Sequence, residues 1–102
     1  MVKERVKFPD GLLDAFCKRN SIQKLSFFGS VLRSDFRADS DVDMLVEFTE
    51  GKTPSLLRMV GLEIELARTV GRKVDLRTPE DIGRYMRGRI MGEAQLQYAH
   101  RG

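Results

Sequence analysis

Leu25-Ser26-Phe27-Phe28-Gly29-Ser30 is followed, after a polar spacer of ten residues, by Asp41-Val42-Asp43-Met44-Leu45-Val46-Glu47-Phe48. Leu25, Phe27 and Phe28 lead into a Gly-Ser corner, and the second segment reads as a strand that begins on two carboxylates. Strand residues two apart share a face, so Asp41 and Asp43 project side by side. Two carboxylates so placed resist joint ionisation unless a cation lies between them, which points to a divalent metal. Asp-x-Asp alone is equally compatible with a solvated turn. The Gly-Ser corner shifts the balance, because its N–H groups and the Ser30 hydroxyl make a small anion-binding concavity. A phosphate grip beside a metal-binding carboxylate pair is the apparatus of phosphoryl or nucleotidyl transfer.

Gly29-Ser30, the ten-residue spacer and Asp41-Val42-Asp43 resemble the G-S-x10-D-x-D signature of the DNA-polymerase-β-like nucleotidyltransferase superfamily. The short chain is similar in size to the minimal nucleotidyltransferases, which in prokaryotes act as antitoxin partners of HEPN-domain toxins. The resemblance runs from about Leu25 to Thr78. It includes a third carboxylate, Asp75, in the strand Lys73-Val74-Asp75-Leu76-Arg77. Leu32 and Ser34 flank Arg33 where relatives usually show Ala and Gly, which leaves the shape of that loop open.

With 102 residues the chain reads as a single domain, 1–102, and burial of roughly 65% of its unfolded surface supports one modest core without disulfides. Its composition fits a soluble globular protein and excludes a disordered one. No apolar run approaches the ~20 residues of a membrane span, and the charged N-terminus reads as no signal peptide. Cys17 is the only cysteine, so a reducing cytoplasm is expected. The net charge of +3 is uneven, with nine acidic and eight basic residues in the first fifty positions and six against ten in the rest. This asymmetry carries little weight, since ordinary solvated charge explains much of it.

In chain order, Asp10 is expected to cap a helix bearing Leu12, Leu13, Phe16 and Cys17, closed by Lys18, Arg19 and Asn20. Cys17 reads as a small core residue. Lys24 to Phe28 forms the first strand, and Val31-Leu32-Arg33 a short helical turn. Arg33 pairs either with phosphate or with Asp35 or Asp39, and reads chiefly as a clamp on this loop. The second strand ends near Thr49. Ser55 caps a helix to Val70, with Leu56, Leu57, Val60, Ile64, Leu66 and Ala67 as its apolar face, widened by Met59 and Leu62, and Gly71 as its stop. Lys73 to Arg77 is the third strand, with Val74 and Leu76 facing one way and Asp75 the other.

Pro79 to about Tyr98 reads as a last helix, in one or two pieces, capped by Thr78 and packed through Ile82, Tyr85, Met86 and Ile90. Arg84, Arg87 and Arg89 lie on or beside its outer side as a solvated face, or as a contact for an acidic partner or RNA. His100 reads as inert. The fold class is therefore α/β (α+β), a small mixed sheet of three or four strands backed by helices.

What the resemblance implies is specific. Asp41, Asp43 and Asp75 would hold two Mg²⁺ ions ~3.5–4 Å apart, with Gly29, Ser30 and Arg33 on the nucleotide. AMP would pass from ATP to a hydroxyl acceptor, among minimal relatives a tyrosine of the HEPN toxin. Two other readings stand beside it: an antitoxin that acts by occlusion alone, and an enzyme modifying a small molecule such as an aminoglycoside. Low aromatic content and the lack of a stacking platform argue against direct nucleic-acid binding.

Overall fold

The structure is a computed structural model that describes residues 6–33, 37 and 40–100, with the side chain of Ser30 outside what is described. Its elements in order are α1 (Leu12–Arg19), β1 (Ile22–Phe27), a 3₁₀ turn (Gly29–Leu32), β2 (Val42–Phe48) and α2 (Leu56–Val70). Then come β3 (Val74–Arg77), a second 3₁₀ turn (Pro79–Asp81), α3 (Arg84–Glu93) and β4 (Gln95–Ala99). The four strands form one mixed sheet in the order β3-β2-β1-β4. β1 runs antiparallel to both neighbours, whereas β2 and β3 are parallel. Two parallel neighbours need a crossover, and α2 supplies it.

Alternation along the strands separates two apolar layers. Val42, Met44 and Val46 of β2 join Leu25, Phe27, Val74 and Leu76 in the main core, under Phe16 and Cys17 of α1 and Met59, Leu62 and Leu66 of α2. On the other face a smaller cluster holds Phe28, Leu45 and Ile82, with Ile90 and Ala94 packed against it. No helix among the described residues is long and apolar enough to cross a membrane. Cys17 is fully buried, and its thiol is pushed up to about 12, first by desolvation and then by the Asp14 carboxylate. That is the behaviour of a packing residue, not of a nucleophile.

Three expectations are corrected. The helix start at Asp10 gives way to a cap on Gly11, whose φ of 79° sets the entry while no side chain bonds the first turn. The expected last helix ends at Glu93, and Gln95–Ala99 forms β4 on the free edge of β1. Tyr98 there is buried in the main core, and an otherwise bare strand edge gains a partner. Within that same last helix Tyr85, expected to point inward, is 98% exposed.

The third correction concerns α2. Its caps form as expected: the Ser55 hydroxyl accepts the Arg58 N–H, and Gly71 at φ 74° ends the helix. Its buried side is Met59, Leu62 and Leu66, while Leu56 and Leu57 are 84% and 83% exposed and Val60 and Ile64 about half exposed. Polar ties choose this rotation. Glu63 Oε2 accepts the Leu76 N–H of β3 at 2.7 Å. Arg58 Nη2 donates to Asn20 at 2.8 Å, and Glu65 pairs with Arg19.

Because β3 is a sheet edge, the Glu63 carboxylate also closes an outward-facing backbone donor. Glu63→Ala is expected to cost about 1–3 kcal/mol of stability, the range for a lost charged hydrogen bond to a backbone group. Urea unfolding at neutral pH measures it, and a change below ~0.5 kcal/mol would contradict the assignment.

Candidate active site

The site begins where β1 stops. Phe28 N–H still donates to the Asp43 carbonyl at 3.0 Å, so the β1–β2 ladder extends one residue past the strand. Gly29 then turns away with φ 67° and opens the 3₁₀ turn, which fully buried Val31 anchors in the core. A Cβ built on Gly29 would lie 2.6 Å from Asp43 Oδ2 and 3.4 Å from its Cγ. The Asp43 carboxylate therefore rests against bare backbone at the corner, a contact open to glycine alone.

β2 and β3 bring the second and third carboxylates together. Val42 N–H donates to the Lys73 carbonyl at 2.8 Å, and the ladder aligns Val42 with Val74, Asp43 with Asp75 and Met44 with Leu76. The apolar partners are buried in the main core. Asp43 and Asp75 thus share the opposite face on adjacent strands, a few ångströms apart at the backbone. Asp41, two residues before Asp43 and just ahead of β2, begins the same row.

Every second residue of the Lys73–Arg77 segment is charged. Lys73 Nζ lies 3.9 Å from Asp41 Oδ2, and Arg77 Nη2 and Nε lie 3.3 and 3.4 Å from Asp75 Oδ2. The Arg77 and Asp75 side chains are 50% and 33% exposed. Among the described residues, no three His, Cys, Asp or Glu side chains are gathered closely enough to hold a metal ion. Asp43 and Asp75 stand side by side on β2 and β3 with Asp41 just ahead of β2. Carboxylates are the ligand type that hard divalent cations take, and three of them along one edge cost energy without a positive charge nearby. In this structure Lys73 and Arg77 supply part of that charge. Neither stood out in the sequence, although period two from Asp75 already sets both on its face.

Arg33 is exposed. Its expected counter-ions Asp35 and Asp39 lie outside the described residues, as does the expected phosphate contact of the Ser30 side chain.

Against this geometry the comparisons with known proteins are specific. The nucleotidyltransferase domain family matches residues 10–97. A protein named as an adenylyltransferase in Methanocaldococcus jannaschii is 41% identical over 76 residues, spanning 74% of this chain and 80% of its own. The protein adenylyltransferase MntA of Thermococcus cleftensis is 42% identical over 59 residues, 58% of each chain. Among solved structures, a minimal nucleotidyltransferase superposes with a TM-score of 0.66 at 34% identity, covering 80% of this chain and 82% of that one. An MntA–HepT toxin–antitoxin structure reaches 0.63 at 17% identity over 86% of this chain and 68% of that one, a likeness of fold.

Proposed function

The chain belongs to the nucleotidyltransferase domain family, and from that premise we propose that it transfers AMP from ATP to a hydroxyl of a protein partner and thereby silences a toxin. The observation that carries the reading is the in-register pair Asp43–Asp75, with Gly29 turned bare against the Asp43 carboxylate. The adenylyltransferase names of the relatives support AMP as the transferred group. The toxin–antitoxin neighbours, one of them with AMP-PNP, support a toxin partner. A HEPN ribonuclease with an acceptor tyrosine is the partner that the family resemblance favours, and the cytoplasm, where ATP and Mg²⁺ abound, is the compartment.

In this reading Asp41, Asp43 and Asp75 would hold two Mg²⁺ ions, whose positive charge would offset the charge that builds on the phosphates during transfer. The chain does the rest. The Gly29-Ser30 corner receives the triphosphate, its backbone free to approach because Gly29 carries no Cβ. Asp43, braced on that corner, fixes the distance between the phosphates and the carboxylate row. Asp75 Oδ1 or Oδ2 accepts the proton of the attacking hydroxyl as its oxygen bonds to the α-phosphorus. The bond from that phosphorus to the pyrophosphate oxygen breaks in the same transfer.

A second reading, occlusion of the toxin without turnover, is favoured by one observation: the outer face of α2 presents Leu56, Leu57, Val60 and Ile64 to solvent. Such an apolar row suits docking. Docking and catalysis are separable by experiment. ATP labelled on the α-phosphate is incubated with Mg²⁺, this chain and the product of the neighbouring gene, then precipitated with acid. Label retained on the neighbour is expected. A stable complex that carries no label would replace catalysis with occlusion.

A further inference from the structure

From the alternating charges of β3 we infer that Arg77, aided by Lys73, is a built-in counter-ion that occupies the carboxylate row in competition with the divalent cation and so sets how tightly the site takes metal. This rests on the reading that Asp41, Asp43 and Asp75 hold metal, and it assigns a role to two residues outside that set.

The geometry is direct. Both Nε and Nη2 of Arg77 approach the same oxygen, Asp75 Oδ2, at 3.4 and 3.3 Å. That oxygen cannot offer the same lone pairs to a metal while the guanidinium sits on it. The Asp41 carboxylate has Lys73 Nζ at 3.9 Å. The two cations bracket Asp75 at positions two before and two after it, so the extended Lys73–Arg77 segment, β3 and the residue ahead of it, delivers them to the acidic face. Their backbone is fixed: Val74 and Leu76 are 2% and 5% exposed, and Leu76 N–H is held by Glu63 at 2.7 Å. Lys73 and Arg77 therefore cannot drift from the site without the side chain itself turning away.

Turning away is easy for both. The Arg77 side chain is 50% exposed and that of Lys73 75% exposed, so either head can leave into water without a large desolvation cost. Exposed pairs of this kind are weak. A doubly charged ion shared by several carboxylates outcompetes them, but only after displacing a charge already in place. The counter-ions thus steady an acidic face that would otherwise repel itself, and they lower its apparent affinity for metal. Arg77 is a positioning residue here, acting on substrate chemistry only through Asp75. Lys73 has the smaller part, being farther from its carboxylate and more solvated.

Mn²⁺ alone, with no nucleotide, tests this by electron paramagnetic resonance titration of the wild type, Arg77→Met, Arg77→Lys and Asp43→Asn at one ionic strength. Arg77→Met is expected to bind Mn²⁺ about threefold to tenfold more tightly, the effect of removing a unit charge a few ångströms away in a largely solvated site. Its melting temperature is expected to rise more on adding Mn²⁺ than that of the wild type. Arg77→Lys, which keeps the charge, is expected to bind as the wild type does. Equal or weaker binding by Arg77→Met, or an Arg77→Lys protein that binds as tightly as Arg77→Met, would overturn the inference while leaving the metal site standing. Mn²⁺ uptake that is absent from the wild type, or undiminished in Asp43→Asn, would remove the metal assignment and this inference with it.

Discussion

Gly29→Ala is expected to lower AMP transfer by about 100-fold or more, although it adds a single methyl group. Two effects combine at this residue. The backbone at φ 67° disfavours any L side chain, by ~1–2 kcal/mol. The new Cβ would also sit 2.6 Å from Asp43 Oδ2, inside the contact distance of any real carbon and oxygen. Something has to move. β2 is pinned between β1 and β3, with Val42 and Met44 fully buried, so its backbone cannot retreat. The Asp43 carboxylate swings off its support, or the Gly29 corner, proposed to receive the triphosphate, shifts. A displacement of ~1 Å at a reacting centre costs about 100-fold in rate. Stability is expected to fall by only ~1–3 kcal/mol, so the variant still folds and the two effects separate. Transfer assays on folded protein, checked by circular dichroism, measure it. Near wild-type transfer would mean that the corner does not position Asp43.

The second large effect is expected at Asp43 itself. Asp43→Asn keeps the shape and removes one charge and, on the proposed reading, one metal-binding oxygen. Loss of a metal ligand that neutralises charge in transfer removes several kcal/mol, so transfer is expected to fall by about 1,000-fold or more. Stability is expected to hold or rise slightly, because Asp43 stands beside Asp75 on the adjacent strand and their repulsion is relieved. Activity and stability moving in opposite directions is the mark of a residue kept for chemistry. Undiminished neutralisation of the proposed toxin partner by a variant that fails to transfer AMP would favour occlusion over catalysis.

Much of this was legible before any coordinates. The strand from Val42 follows from period-two alternation, and the Ser55 and Gly71 boundaries of α2 follow from cap chemistry that acts within one turn. The side-by-side placement of Asp43 and Asp75 needed only two strands in register, since Val42 and Val74 have to face the same core. What failed were choices that local sequence does not make. Apolar residues surround α2, so periodicity could not choose its buried side. Glu63 and Arg58 chose it by bonding β3 and α1. Gln95–Ala99 has too short an alternating pattern to compete with the helical residues before it, and it became β4 because β1 had an open edge. The Arg77–Asp75 pair was readable in principle, but surface cations are common enough that only the distance marks it out.

Paramagnetic broadening by Mn²⁺ in the nuclear magnetic resonance spectrum of the ¹⁵N-labelled chain tests the central claim most directly. The account predicts that substoichiometric Mn²⁺ first erases the amide signals of Gly29, Asp43 and Asp75. Phe16 and Cys17, across the sheet on α1, would be spared, and Asp43→Asn would restore the lost signals. Broadening that spreads evenly over the acidic surface, or that centres elsewhere and survives Asp43→Asn, would contradict it.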